Sequence, residues 1–171
     1  MTGRIGVIAD THGLVHPRLA ELFAGVDHIL HAGDIGGAHV LEALRAIAPL
    51  TAVLGNNDKA TGEDIVRMKL GSLRVLLTHI LPRPSRPAPA VAKSLKSSKA
   101  DVVIFGHSHL PHNERIDDVL FFNPASAGPR RFDLPKAVGM LEQVDGEWRA
   151  THIALDDRSV AALQRRMNQM R

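Results

Sequence analysis

The sequence predicts an α/β fold that opens with a parallel sheet and continues in antiparallel hairpins. Three observations carry this. Short apolar runs near the N-terminus alternate with segments of helical spacing. Later apolar runs come in pairs separated by turn dipeptides. The chain has 171 residues, 44% hydrophobic and 23% charged, which suits one domain with a full core. No repeat or linker interrupts it, so residues 1–171 are read as a single domain.

Ile5-Gly6-Val7-Ile8-Ala9 is short, apolar and bounded by charge, which predicts a buried strand. Pro17 marks a helix start, and Leu19, Leu22 and Phe23 follow at helical spacing until Gly25. His28-Ile29-Leu30-His31-Ala32 predicts a second strand. Val40, Leu41, Leu44 and Ile47 then form one helix face, stopped at Pro49. Ala52-Val53-Leu54 predicts the third strand of a parallel set. Beyond it, Ile65–Leu70 and Leu73–Thr78 flank Gly71-Ser72 as a hairpin. A proline-rich loop over 81–89 leads to a helix over 90–98 and a strand over 102–105. Two more hairpins turn near Asp117-Asp118 and at Asp145-Gly146, where the residues tolerate positive φ. Residues 159–170 predict a closing helix. The antiparallel second half points to a second sheet.

Composition narrows the function. Net charge is +3, from 21 basic and 18 acidic residues, too mild for a polyanion-binding surface. The basic residues gather at Arg83 and Arg86 and at Arg165, Arg166 and Arg171. Aromatic residues make up 4%, with no tyrosine and one tryptophan, so stacking platforms for nucleic-acid strands are sparse. The absence of cysteine removes disulfides, thiolate metal sites and cysteine nucleophiles. It fits a cytoplasmic protein. No apolar stretch is long enough to cross a bilayer. Met1-Thr2-Gly3-Arg4 runs into the first strand without a leader pattern.

Ten histidines are unusual, and several fall where apolar strands run out. The first strand is followed by Asp10 and His12, the second by Gly33-Asp34, and the third by Gly55-Asn56-Asn57-Asp58. His79 follows Val75-Leu76-Leu77, and His107 and His109 follow the strand over 102–105. Ligands of open α/β sheets bind beyond the carboxyl ends of strands, so these groups are expected to converge. Two aspartates, four histidines and one asparagine make an N/O donor set for manganese, iron(II), nickel or zinc, too rich in imidazole for calcium. Seven donors exceed what one catalytic ion needs and suit two ions sharing a carboxylate. Gly33, Gly55 and Gly106 are expected to supply room and permissive φ beside them.

This ordered set, Asp10-Thr11-His12, Gly33-Asp34, Gly55-Asn56-Asn57-Asp58, His79 and Gly106-His107-Ser108-His109, resembles the calcineurin-like metallophosphoesterase superfamily. It is most similar to the branch of small bacterial and archaeal single-domain phosphodiesterases, over nearly the whole chain. The resemblance implies a four-layer α-β-β-α sandwich of two mixed β-sheets flanked by helices. It implies one metal on Asp10, His12, Asp34 and His109, and a second on Asp34, Asn56, His79 and His107, with Asp34 shared. Manganese is foremost, with iron, nickel, zinc or magnesium as alternatives. Asp34, Asn56 and His107 are the residues expected at the reacting centre. The implied reaction is hydrolysis of a small phosphodiester, nucleotide-like diesters included, by a metal-bridging hydroxide.

Two departures from the family pattern stand out. Asn57 occupies a position where many relatives carry an acidic histidine, and an amide cannot protonate a leaving group. Ile80 follows His79 where relatives have glycine, which predicts a displaced loop over 81–89. His31 is expected as a packed strand residue, with support of the metal ligands as the alternative. His16, His28, His39, His112 and His152 are expected at the surface or core edge. Arg83, Arg86, Arg130 and Arg131 are read as solvated loops, with contact to an anionic substrate as the alternative. Phosphomonoesterase, nuclease and non-catalytic protein-binding scaffold are the competing functions, and a homodimer is compatible with all of them.

Overall fold

Side chains that leave a strand on alternate faces enter different cores, and the first strand shows how this builds the layers. Ile5 and Val7 enter a core between two sheets, while Ile8 enters a second core beneath the helices. Gly6 takes the remaining place because the Phe23 ring occupies it; a Cβ there would sit 2.9 Å from that ring. The computed structural model describes residues 3–169. Met1, Thr2, the expected last helical residue Met170, and Arg171 lie outside the described residues.

In chain order the first half contains β1 (Arg4–Ile8), α1 (Leu19–Leu22), β2 (His28–His31), α2 (Ala38–Arg45), β3 (Leu50–Ala52), β4 (Ile65–Leu70) and β5 (Leu73–Thr78). The second half contains α3 (Pro89–Ser98), β6 (Val102–Ile104), β7 (Pro111–Ile116), β8 (Val119–Pro124), β9 (Ala137–Val144), β10 (Glu147–Ala154) and α4 (Asp157–Gln169). Among the described residues the strands form two five-stranded sheets, ordered β10-β9-β1-β2-β3 and β4-β5-β6-β8-β7. β1, β2 and β3 are parallel, with β9 and β10 added antiparallel. β5, β6 and β8 are parallel, with β4 and β7 antiparallel at the two edges. Both sheets are therefore mixed.

The inner core joins Val7, Leu30 and Val53 from the first sheet to Val75, Ile104 and Phe122 from the second. Leu19 and Phe23, with Val40 and Leu44 of α2, cover the outer face of the first sheet against Ile29 and Met140. Val91 of α3 covers the second sheet against Leu76, Val103 and Phe121. This is the expected four-layer sandwich. α4 packs on β10 and β7, the edge strands that the two sheets present on the same side.

All three expected hairpins form. Asp117 and Asp118 lie at φ +46° and +65°, and Asp145 and Gly146 at φ +52° and +82°, the backbone that two-residue hairpin turns need. Boundaries moved where backbone pairing differs from side-chain pattern. α2 ends at Arg45, short of the expected stop at Pro49, and β3 starts at Leu50 with its ladder stopping at Ala52. Leu54 instead donates to Glu63 O at 2.9 Å in the returning loop. α4 starts two residues before the expected Ser159, where Asp156 accepts from Ser159 N and Oγ at 2.9 and 2.7 Å.

Two histidines are held neutral by the fold. His31 is fully buried, and His152 stacks on Phe122 at 4.6 Å and donates from Nε2 to Asn123 O at 2.7 Å. Burial pushes each from the ordinary 6.5 to about 4; for His152 the Asn123 carbonyl opposes the shift. The unfolded chain takes up these protons at higher pH than the folded one, so acid favours unfolding. Stability is full above about pH 6.5 and falls as pH drops toward about 4, by up to about 1.4 kcal/mol per pH unit for each histidine. Urea unfolding of metal-stripped protein between pH 7 and 5 checks this, and the slope flattens in His152→Gln. A flat profile overturns it.

Candidate metal centre

Loops at the carboxyl ends of β1, β2, β5 and β6, with the loop after β3, meet at one end of the sandwich. The pairing of β1 with β2 continues past their last residues: Asp10 N donates to Gly33 O and His12 N to Asp34 O, each at 2.9 Å. This register sets Asp10 and His12 beside Asp34. Gly106 N donates to His79 O at 3.0 Å, joining the loops after β5 and β6 in the same way. His107 N donates to Asp10 Oδ2 at 3.0 Å and ties one sheet to the other.

The structure brings all seven expected residues together. His12 Nε2 lies 3.2 Å from His109 Nε2, which lies 3.3 Å from Asp10 Oδ1. Asp34 Oδ2 is 3.7 Å from His12 Nε2, and Asp34 Oδ1 is 3.5 Å from His79 Nε2. Asn56 Oδ1 stands 3.0 Å from His79 Nε2 and 2.9 Å from His107 Nδ1. Asp34 thus faces one histidine group with each oxygen. Asp10, Asp34, His79 and His109 are buried, whereas Asn56 and His107 are exposed.

The donor chemistry fits a bound cation. His79 gives its Nδ1 proton to Ala32 O at 2.7 Å. In the neutral ring its Nε2 then presents a lone pair toward the oxygens of Asp34 and Asn56. The Nε2 atoms of His12 and His109 face each other, and buried Asp10 Oδ1 accepts no hydrogen bond. Converging lone pairs repel unless positive charge lies among them. Ligand atoms of Asp10, His12 and His109, and those of Asp10, Asp34 and His79, each lie within 4.8 Å of one another.

Backbone strain accompanies this convergence. Asp10, His12, Asp34, His107 and His109 have φ between +46° and +69°, where non-glycine residues are uncommon. Of the three expected glycines only Gly33 has positive φ, at +89°. Gly55 and Gly106 serve by lacking a side chain: a Cβ on Gly55 would overlap Asp34, and one on Gly106 would come within 2.8 Å of Asp10 Oδ2.

Several residues hold the ligands in place. Asn57 donates from its backbone to Asp34 Oδ1 at 2.9 Å and from its amide to Oδ2 at 2.7 Å. Burial raises the Asp34 pKa, but these bonds, then His79 and His12, outweigh it and leave the carboxyl below its ordinary value. His12 is itself lowered, mainly by burial and also by the Arg131 guanidinium, against Asp34. The Asp58 carboxylate accepts from Ile35 N, Gly36 N and Gly55 N at 2.8–3.1 Å. His31 is more than a packed strand residue. Its Nδ1 accepts from Gly33 N at 3.1 Å, and its Nε2 donates to Thr11 Oγ1 at 2.9 Å, which donates on to Ile35 O.

The sequence reading missed the role of Asn123. Its amide donates to Gly106 O at 2.9 Å and Ser108 Oγ at 3.2 Å, fixing the turn between His107 and His109. An asparagine that ends an apolar strand beside a proline was the available signal. His16, His28, His39, His112 and His152 take no part in the cluster. Arg83 and Arg86 are exposed, as expected. Arg130 and Arg131 differ: Arg130 bonds Asp156, and Arg131 Nη2 lies 3.4 Å from His12 Nε2. After His79 the chain turns inward again, leaving Ile80 exposed and Leu81 buried.

The chain is similar to known proteins in sequence and in fold. A sequence model of the calcineurin-like phosphoesterase superfamily domain matches residues 4–146. A probable metallophosphoesterase of Methanothermobacter thermautotrophicus is 34% identical over 153 residues, covering 84% of this chain and 87% of that one. A phosphodiesterase of Methanocaldococcus jannaschii is 29% identical over 166 residues, covering 85% and 96%. Vps29 of Entamoeba histolytica, solved with zinc, superposes with a TM-score of 0.68 over 90% of this chain and 99% of that one; at 23% identity it shows the shared fold.

Asp58→Ala removes the acceptor of three backbone amides. It is expected to cost about 1–3 kcal/mol of stability, a fall in Tm of about 3–10 °C for a chain of this size, read by thermal unfolding. An unchanged Tm would show that water replaces the carboxylate.

Proposed function

Because this chain belongs to the calcineurin-like phosphoesterase superfamily, we propose that it is a single-domain, two-metal phosphodiesterase acting on small phosphodiesters. The observation that carries the reading is the position of Asp34, whose two oxygens face His12 and His79 separately. On this reading Asp10, His12, Asp34 and His109 hold one ion, and Asp34, Asn56, His79 and His107 hold the other. Manganese is the first choice, and iron, nickel, zinc and magnesium match the same donors. When bound, such a pair acidifies water and neutralises charge on phosphoryl oxygens.

The chain's own residues do the rest. The buried ligands exclude solvent from the inner side, and exposed Asn56 and His107 set the rim at which substrate arrives. Asn57 keeps Asp34 ionised and oriented. The same bond commits the Asn57 amide, so it lends no proton to a departing oxygen. Leaving groups that depart as stable anions are therefore favoured, which supports activated diesters over unactivated monoesters. Mild net charge and few aromatics argue against nucleic-acid polymers. The seven intact donors argue against a purely scaffolding role. Among the described residues no helix is long and apolar enough to cross a membrane, and a cytoplasmic location remains part of the proposal.

Three outcomes are expected. Asp34→Asn abolishes hydrolysis of an activated diester and lowers metal content by elemental analysis; retained turnover with retained metal overturns the shared-ligand reading. Chelation inactivates the protein and manganese restores it, and undiminished turnover after chelation rules out metal dependence. Across diesters of rising leaving-group pKa, kcat/KM declines steeply in the natural protein and less steeply in Asn57→His. Equal slopes remove Asn57 from the account of leaving-group preference.

A further inference from the structure

We propose that Arg131 and Phe132 form a substrate clamp that selects phosphodiesters whose ester group carries a flat aromatic ring. The proposal rests on the phosphoesterase reading and extends it to a substrate class. Phe132 is 91% exposed, the most exposed large hydrophobic residue among those described. Its backbone lies at φ +50°, where a bulky side chain is strained. Neither burden is offset by packing within the chain, and strain of this kind concentrates at ligand-binding sites.

The segment that carries it is tied to the fold by hydrogen bonds. Arg130 donates to both Asp156 oxygens at 2.8 and 2.7 Å, to Leu134 O at 3.1 Å and to Ser159 Oγ at 3.2 Å. Leu134 N donates to Arg131 O at 3.1 Å, closing a turn with Phe132 and Asp133 at its tip. Arg158 holds Asp133 at 3.0 Å. At its root, Ser126 Oγ donates to Asp10 O at 3.0 Å and accepts from Gly128 N at 3.1 Å. The tip is therefore indexed to the metal centre, and a ligand ordering it loses little entropy.

Arg131 fixes what the tip faces. Its Nη2 stands 3.4 Å from His12 Nε2, so an exposed guanidinium lies beside the proposed first metal position. Its planar fork of N–H groups matches two phosphoryl oxygens. Phe132 is the next residue in the turn, and the clamp places its exposed ring within reach of a ligand that the fork holds. Ile80 and Val15, also exposed large hydrophobics, follow His79 directly and His12 by three positions.

Phe132→Ala tests the clamp, and its exposed site makes misfolding no concern. Calorimetric titration compares phenylphosphonate with methylphosphonate on manganese-loaded protein. The natural chain should favour the phenyl compound, and Phe132→Ala should cut that ratio by about tenfold, the size of a lost aromatic stack. Arg131→Gln should weaken both compounds alike, with metal content unchanged. In parallel, kcat/KM is compared for a diaryl diester, a dinucleotide and a dialkyl diester. Loss confined to the diaryl arm or to the dinucleotide arm identifies the ring as aryl or nucleobase. A phenyl-to-methyl ratio unaltered by Phe132→Ala overturns the clamp, as does the absence of phosphonate binding. If no diester is hydrolysed while Phe132-dependent binding persists, the enzyme reading fails and the clamp stands.

Discussion

Two carboxylates kept out of water set the terms for the rest of the molecule. Asp10 and Asp34 are 0% and 2% exposed, and among the described residues neither pairs with lysine or arginine. A buried carboxylate is costly unless hydrogen bonds and opposite charge surround it. Backbone amides of His107 and Asn57 supply part of that compensation. Four imidazoles around them can share a cation but cannot replace one while neutral. The loops thus assemble buried carboxylates and imidazoles that could hold a metal ion, and an ion bound there would couple its affinity to folding.

That constraint explains the unusual backbone. Five of the seven expected ligands sit at positive φ, each in the loop that follows a strand. The central strands β1, β2, β5 and β6 are ordinary, with buried apolar residues on both faces, since the middle of each sheet is covered on both sides. Regular packing carries the layers, and local strain is confined to the end where the loops meet.

These two regimes differ in how far the sequence disclosed them. Strand and helix positions follow from apolar spacing, and Gly71-Ser72, Asp117-Asp118 and Asp145-Gly146 announce their hairpins through turn chemistry. The seven expected ligands could be picked out because each stands within a few residues of the end of an apolar run, and the fold brings them to one end of the sandwich. What stayed hidden depends on three-dimensional neighbours. Nothing in Gly55-Asn56-Asn57-Asp58 says that Asn57 reaches Asp34 while Asp58 turns to backbone amides across the gap. The relay from His31 through Thr11 to Ile35 joins residues that share no local pattern. Arg131 read as a solvated residue because its contact lies 119 positions away, at His12.

The sandwich also has unequal rims. α4 lies over β10 and β7 and shields that side. On the opposite side the free edges belong to β3, which has three residues, and to β4, which turns Arg67 and Lys69 to solvent. A short edge offers few unpaired amides, and a cationic one repels its own copy. The architecture thereby resists the strand-to-strand stacking through which sheet proteins polymerise, and it does so without a second covering helix.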